Sequence, residues 1–154
     1  MIVTLYAAGI FFSVAAPGLE HQMIDSNGHA FSMSDYRGKV IYVDFWASWC
    51  GPCRKSFPWM NEMHNRYKDR GLIVIAINLD SDMKDASPFL DELNPEFVIG
   101  YDPEGKVARS FDLLGMPSSF VFDKAGNLIN SHVGFFSEQT SDYEAELVKL
   151  LEQQ

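Results

Sequence analysis

The chain is poor in cysteine, and this scarcity limits the roles that its cysteines can fill. Cys50 and Cys53 are the only two in 154 residues. A four-cysteine zinc site is excluded, and the four scattered histidines include no H-x3-5-H pair that would complete a mixed zinc site. A disulfide across so short a loop restrains the unfolded chain very little, so a purely structural bridge is also disfavoured. We therefore assign no functional role to the histidines and expect no structural metal.

Positive charge is also in short supply. The chain has 12 basic and 21 acidic residues, a net charge of −9. Such a surface disfavours nucleic acid and anionic membrane lipid as partners. Hydrophobic residues make up 47% of the chain and aromatic residues 14%, which predicts one ordered domain rather than a disordered segment.

A long apolar run is missing, although residues 1–18 carry no charged side chain. Their apolar stretch is shorter than the ~20 residues of a membrane-spanning helix. It is similar to the apolar part of a secretory signal, with small residues at 13–16 and no basic start. Three interpretations stay open: a remnant of an export signal, a short anchor, or an ordered edge strand. The first two predict a periplasmic or membrane-attached protein, whereas the third permits a cytoplasmic one. The main domain is expected over residues 19–154.

Hydrophobic periodicity and turn residues predict an α/β domain. We expect a mixed sheet with helices on both faces, because β-α-β units are followed by a terminal hairpin and helix. The predicted strands cover residues 23–25, 30–33, 39–45, 72–79, 97–99, 120–122 and 128–133, and the predicted helices cover 54–70, 83–93, 103–114 and the segment from 143 to 151.

The two cysteines follow a buried strand and open a helix. A helix N-terminus carries unpaired N–H groups and a partial positive charge, both of which favour a thiolate over a thiol. We expect Cys50 to be the exposed nucleophile and Cys53, one turn further, to be the shielded resolving thiol. Asp44 stands in the apolar strand before them. If buried, its carboxyl would have a raised pKa and could accept the Cys53 proton; the alternative is an exposed position at the strand end.

Several segments together resemble one protein superfamily. Residues 43–53, V-D-F-W-A-S-W-C-G-P-C, are similar to the active-site segment of thioredoxins, and Pro58 matches the proline of their active-site helix. Residues 115–120, G-M-P-S-S-F, resemble the segment with the superfamily's cis-proline. Residues 32–38 and 82–101 are closer to one branch, the TlpA/ResA-like thiol–disulfide oxidoreductases of the bacterial cell envelope.

This resemblance implies a thioredoxin fold: a central mixed sheet flanked by helices, with an N-terminal β-hairpin and an inserted helix-strand segment. It also implies that the bond before Pro117 is cis and turns the Met116 backbone toward the cysteines, where it pairs with substrate. Substrate would further contact Trp49, Gly51 and Pro52. We expect Trp49 to be exposed, with core packing as the alternative.

Two positions depart from the pattern of the superfamily. Members dedicated to cytochrome c maturation often carry glutamate between their cysteines, and this chain has Gly51 there. Cytoplasmic thioredoxins place a lysine near the buried aspartate, and Ala76 stands about where it would fall. The first departure favours a generic reductant over one dedicated to apocytochrome, and the second leaves Asp44 without its cationic neighbour.

The sequence predicts an enzyme that reduces protein disulfides in the bacterial cell envelope through a Cys50–Cys53 cycle. It would need no organic cofactor or metal, work as a monomer and be recharged by a membrane thiol electron donor. An alternative is a copper-handling module that binds Cu(I) through Cys50, Cys53 and Met116. A peroxide-reducing relative is disfavoured, because the residues before Cys50 lack the P-x-x-x-T-x-x-C pattern.

Overall fold

The computed structural model describes residues 17–153, so the expectations for the first sixteen residues lie outside it. Within that range, seven strands form one mixed sheet in the order β2-β1-β5-β4-β3-β6-β7. The strands are β1 (Gln22–Asp25), β2 (Ala30–Ser32), β3 (Val40–Trp46), β4 (Leu72–Asn78), β5 (Val98–Tyr101), β6 (Ser118–Phe122) and β7 (Leu128–Val133). The helices are α1 (Cys53–Tyr67), α2 (Ser87–Leu93), α3 (Lys106–Ser110) and α4 (Thr140–Leu151).

Three parallel strands form the centre of the sheet. β3 pairs with β4 and β4 pairs with β5, and α1 and α2 make the two crossovers between them. β6 and β7 extend the β3 side as antiparallel strands, and the β1–β2 hairpin extends the β5 side. The predicted thioredoxin-type architecture is thus confirmed, including the N-terminal hairpin and the inserted α2–β5 segment.

Each face of the sheet has its own apolar core. All seven residues of β3 are buried, as a central strand of a parallel sheet requires. Val40, Tyr42 and Trp46 pack with side chains of α1, α2 and α4, and the alternate residues Ile41 and Phe45 pack with α3 and the N-terminal hairpin. Because side chains alternate along a strand, Asp44 faces the same side of the sheet as α1.

The predicted helix 103–114 is wrong in extent. Helix α3 spans only Lys106–Ser110. It begins late because the Asp102 carboxylate accepts hydrogen bonds from the backbone N–H groups of Lys106 and Ala108, at 2.8 and 2.9 Å. It ends early because Asp112 has a left-handed backbone, with φ of 48°. The residues after it form an open loop that reaches the cysteines.

The other predicted helices need smaller corrections. The segment 83–93 begins as a 3-10 turn at Met83–Ala86 and becomes α-helical only at Ser87. The segment 54–70 is α1 followed by a 3-10 turn, and Gly71 ends it with a φ of 99°. Among the helices of residues 17–153, none has the length and apolarity needed to cross a membrane.

Candidate active site

The two cysteines lie between the end of β3 and the start of α1. They form a disulfide, with 5.4 Å between their Cα atoms. Helix α1 begins at Cys53, and no side chain of the described residues caps that end. Its first turn contains Arg54 and Lys55 and no acidic residue. The partial positive charge of the helix end is therefore available to a Cys50 thiolate.

The expectation of an exposed Cys50 is wrong for this disulfide form. Cys50 is 5% exposed and Cys53 is fully buried. Both belong to the apolar cluster that α1 forms with the sheet. The order of accessibility is nevertheless the predicted one, because Cys50 lines an open groove.

This groove, of about 790 Å³, leads from solvent to Cys50. Its walls come from the loop before α1, the loop after α3 and the end of β4. Trp49 is 72% exposed, as predicted, and Leu114 is 86% exposed. The lining includes Trp49, Gly51, Pro52, Leu79, Leu114 and Met116. The groove presents mainly apolar side chains around Cys50, an arrangement suited to binding a peptide segment.

The loop that follows α3 continues to β6, and its last residues border the groove beside Cys50. The Met116–Pro117 peptide bond is cis, as the resemblance implies. The carbonyl oxygen of Pro117 accepts a hydrogen bond of 2.8 Å from the N–H of Gly134, which fastens this loop to the chain after β7. Met116 lines this groove and also a second, separate pocket, which Lys55 and Phe136 line as well. The structure therefore brings Trp49, Gly51, Pro52 and Met116 together at the disulfide.

Asp44 is buried in the sheet beneath α1. It is 1% exposed, so the alternative of an exposed aspartate is excluded. Its neighbours across the sheet are Ala76 in β4 and Ser119 in β6. The Oδ2 atom finds no hydrogen-bond partner among residues 17–153. Burial raises the pKa of this carboxyl well above its usual value.

One polar cluster at the site was missed by the sequence interpretation. Asp80 is 4% exposed and follows β4 at the edge of the sheet where β3 also ends. Its carboxylate accepts hydrogen bonds from Ser48, which stands two residues before Cys50, and from Asn78. The available signal was a polar residue at the end of a buried parallel strand and a second one two positions later, since the carboxyl ends of such strands meet at one edge.

The remaining singled-out residues lie away from the disulfide or in the core. Trp46 is fully buried, as predicted. His132 lies 2.9 Å from Glu146 on α4, and no group of three His, Cys, Asp or Glu residues within 17–153 is arranged to hold a metal ion.

Comparison with known proteins agrees with this geometry. The Redoxin family model matches residues 13–147. A thiol-disulfide oxidoreductase ResA of Bacillus thuringiensis is 31% identical over 125 residues, which cover 81% of this chain and 70% of the relative. The ResA of Geobacillus kaustophilus is 28% identical over 89% of this chain and 79% of its own length.

Solved structures give the same result. A crystal structure of a Chlorobium tepidum protein assigned as the thiol:disulfide interchange protein DsbE has a TM-score of 0.84 and 40% identity, covering 88% of this chain and 96% of that one. The chain belongs to the Redoxin family and is a TlpA/ResA-like thiol–disulfide oxidoreductase of the thioredoxin superfamily, acting on protein disulfides.

Proposed function

We propose that the protein is a reductant of protein disulfides in the bacterial cell envelope. The observation that supports the exchange chemistry is Asp44, a buried carboxyl with a raised pKa on the face of the sheet under α1. The direction follows from the C-G-P-C motif, which resembles that of the thioredoxins. A reductant must deprotonate its second thiol to release the substrate, and a carboxylate with a raised pKa is a suitable proton acceptor for that step.

The cycle moves two electrons from the enzyme to the substrate. The Cys50 thiolate attacks one sulfur of the substrate disulfide, and the departing substrate thiolate takes a proton from solvent. Asp44 accepts the proton of Cys53, and the Cys53 thiolate attacks the Cys50 Sγ. The mixed disulfide breaks, and the second substrate sulfur leaves as a thiolate that takes up a proton from solvent while Asp44 releases its own. The enzyme then holds the Cys50–Cys53 disulfide, which is the state of this structure.

Substrates would be extended segments that carry a disulfide next to an apolar side chain. The groove beside Cys50 is lined by Leu79, Leu114 and Met116, and Trp49 stands exposed at its edge. The Met116 backbone would pair with the main chain of the segment, while the apolar walls bind its side chains. Gly51 between the cysteines supports a general reductant over one devoted to apocytochrome.

A membrane thiol carrier is the proposed electron donor, since the resemblance to envelope oxidoreductases implies one. The cysteine pair carries both electrons, so no organic cofactor enters the proposal. We further propose that the protein works as a monomer, either periplasmic or attached to the membrane.

The reduction potential of the Cys50–Cys53 couple tests the direction. We expect equilibration with glutathione or dithiothreitol to give a value nearer the thioredoxin potential of about −270 mV than the DsbA potential of about −120 mV. Insulin reduction should accompany it and disappear in Cys50→Ser. A potential near that of DsbA would show that the enzyme oxidises its substrates instead.

A further inference from the structure

Two segments of backbone near the nucleophile are joined by a buried carboxylate. Asp80 is 4% exposed, and its side chain lies against the loop that connects β3 to Cys50. The backbone N–H of Ser48 donates to Asp80 Oδ2 at 3.0 Å, and the Ser48 hydroxyl donates to Oδ1 at 2.9 Å. The segment directly after β4, which carries Asp80, and the loop that carries Cys50 are thus held together by side-chain hydrogen bonds.

Asn78 holds the carboxylate from the other side. Its Nδ2 donates to Asp80 Oδ2 at 2.7 Å, and its Oδ1 accepts from the Asp80 backbone N–H at 3.1 Å. Asn78 is fully buried and lies at the end of β4, paired with both neighbouring strands. The Asp80 side chain is therefore fixed by a rigid strand, and it transmits that rigidity to Ser48.

The residue between Asn78 and Asp80 lines the reactive groove. Leu79 borders the groove together with Cys50, and its N–H donates to the Trp46 carbonyl at 2.9 Å. Cys50 itself has one local backbone bond, from its N–H to the Ala47 carbonyl at 3.0 Å. Once the disulfide is reduced, the S–S bond no longer restrains Cys50. The attachment at Ser48 then becomes the nearest side-chain restraint on its loop.

We propose that Asp80 is a positioning residue that holds the Cys50 sulfur at the N-terminus of α1 in the reduced enzyme. A helix end stabilises a thiolate only within about the first turn, so a loop that drifts away loses this stabilisation. Asp80 acts through Ser48 and touches neither substrate nor sulfur. The proposal needs only the exchange chemistry, and it holds for either direction of electron flow.

The pH profile of Cys50 alkylation tests this role. In the reduced full-length protein, Asp80→Ala should slow iodoacetamide labelling of Cys50 by about threefold or more near pH 6.5. The rates should converge above roughly pH 9.5, where the thiol ionises without help. Asp69→Ala is the matched control, because it removes an exposed carboxylate just before the opposite end of β4 and should leave the profile unchanged.

Two further variants separate positioning from charge and keep the test valid if Asp80→Ala does not fold. Asp80→Asn keeps an oxygen acceptor for Ser48 and should stay within about twofold of the wild type. Ser48→Ala removes the hydroxyl donor and should shift the profile in the same direction as Asp80→Ala, by less. Faster labelling of Cys50 in both Asp80 variants would show that the negative charge of Asp80 acts directly on the sulfur. An unchanged pH profile in Asp80→Ala, Asp80→Asn and Ser48→Ala would show that Asp80 has a role in folding alone. Either result overturns the proposal.

Discussion

At the scale of single residues, the site contains two buried carboxyls with opposite surroundings. Asp80 accepts hydrogen bonds from Ser48 and Asn78, whereas Asp44 has a buried oxygen without a partner among residues 17–153. A buried charge without compensation costs stability, and such a cost is typical of functional groups. We therefore expect substitution by asparagine to affect the protein differently at Asp44 and at Asp80.

Asp44→Asn should stabilise the oxidised protein near neutral pH and slow the release of substrate. Burial raises the pKa of the Asp44 carboxyl in the folded protein above the unfolded value of about 3.9. The folded protein therefore loses stability as pH rises from the unfolded pKa toward the folded pKa. Asparagine cannot ionise, so its stability advantage in urea unfolding should grow as pH rises from about 4 toward the folded pKa. Trapped Cys50 mixed disulfides should also decay more slowly, because the proton acceptor is gone. A pH-independent difference in stability together with wild-type decay would exclude both roles of Asp44.

Cys50 should react first in the reduced protein. Of the two cysteines, only Cys50 lines the groove, and Cys53 is fully buried. Limiting iodoacetamide followed by peptide mapping should find the adduct mainly on Cys50. In matched variants, Cys53→Ser should accumulate mixed disulfides with substrate and Cys50→Ser should not. Predominant labelling of Cys53 would reverse the assigned roles.

The sequence predicted those parts of the site whose residues lie close together in the chain or match a known motif, and it did not predict contacts between distant residues. Cys50, Cys53 and Trp49 lie within five consecutive residues, and the resemblance pointed to Met116 and Pro117. The low exposure of Cys50 could not be predicted, because its cover comes from packing with distant elements. Asp80 was missed for the same reason: its contact with Ser48 joins residues 32 positions apart.

At the scale of secondary-structure elements, the sequence predicted the fully buried strands well, but it did not predict where the short helix begins and ends. β3 and β4 stand out as apolar runs, whereas α3 has only five residues whose limits depend on the Asp102 carboxylate and on the backbone of Asp112. The ends of this helix are set by a side-chain hydrogen bond and by one backbone conformation, which hydrophobic periodicity cannot predict. The shortened α3 matters for function, since the loop after it supplies Leu114 to the groove.

The packing of α1 on the sheet should depend strongly on Phe57. This fully buried ring lies 4.9 Å from the rings of both Trp46 and Phe89, measured between centroids. Phe57→Ala should lower the free energy of unfolding by about 3–5 kcal/mol, because it removes apolar contact and leaves a cavity. Phe136→Ala is the control: that ring is 46% exposed, and its loss should cost less than about 1 kcal/mol. Equal urea midpoints for the two variants would contradict this account of the α1 contact.

At the scale of the whole molecule, folding and redox chemistry are linked through the one disulfide of the chain. The difference in unfolding free energy between the oxidised and reduced protein equals the difference between the unfolded and folded reduction potentials, converted to energy. A reductant has a folded potential below that of its unfolded cysteine pair. Its oxidised form is consequently the more stable one, whereas a strong oxidant such as DsbA has a stabilised reduced form.

The oxidised protein should therefore resist urea better than the protein kept reduced by dithiothreitol. Each 30 mV by which the folded potential lies below the unfolded one adds about 1.4 kcal/mol to this difference. The double variant with serine at positions 50 and 53 is the control, and its unfolding curve should not respond to dithiothreitol. Both curves should be recorded at one pH, since Asp44 makes stability depend on pH. If the reduced protein proves the more stable form, the molecule is built to donate its disulfide, and the proposed direction of electron flow is wrong.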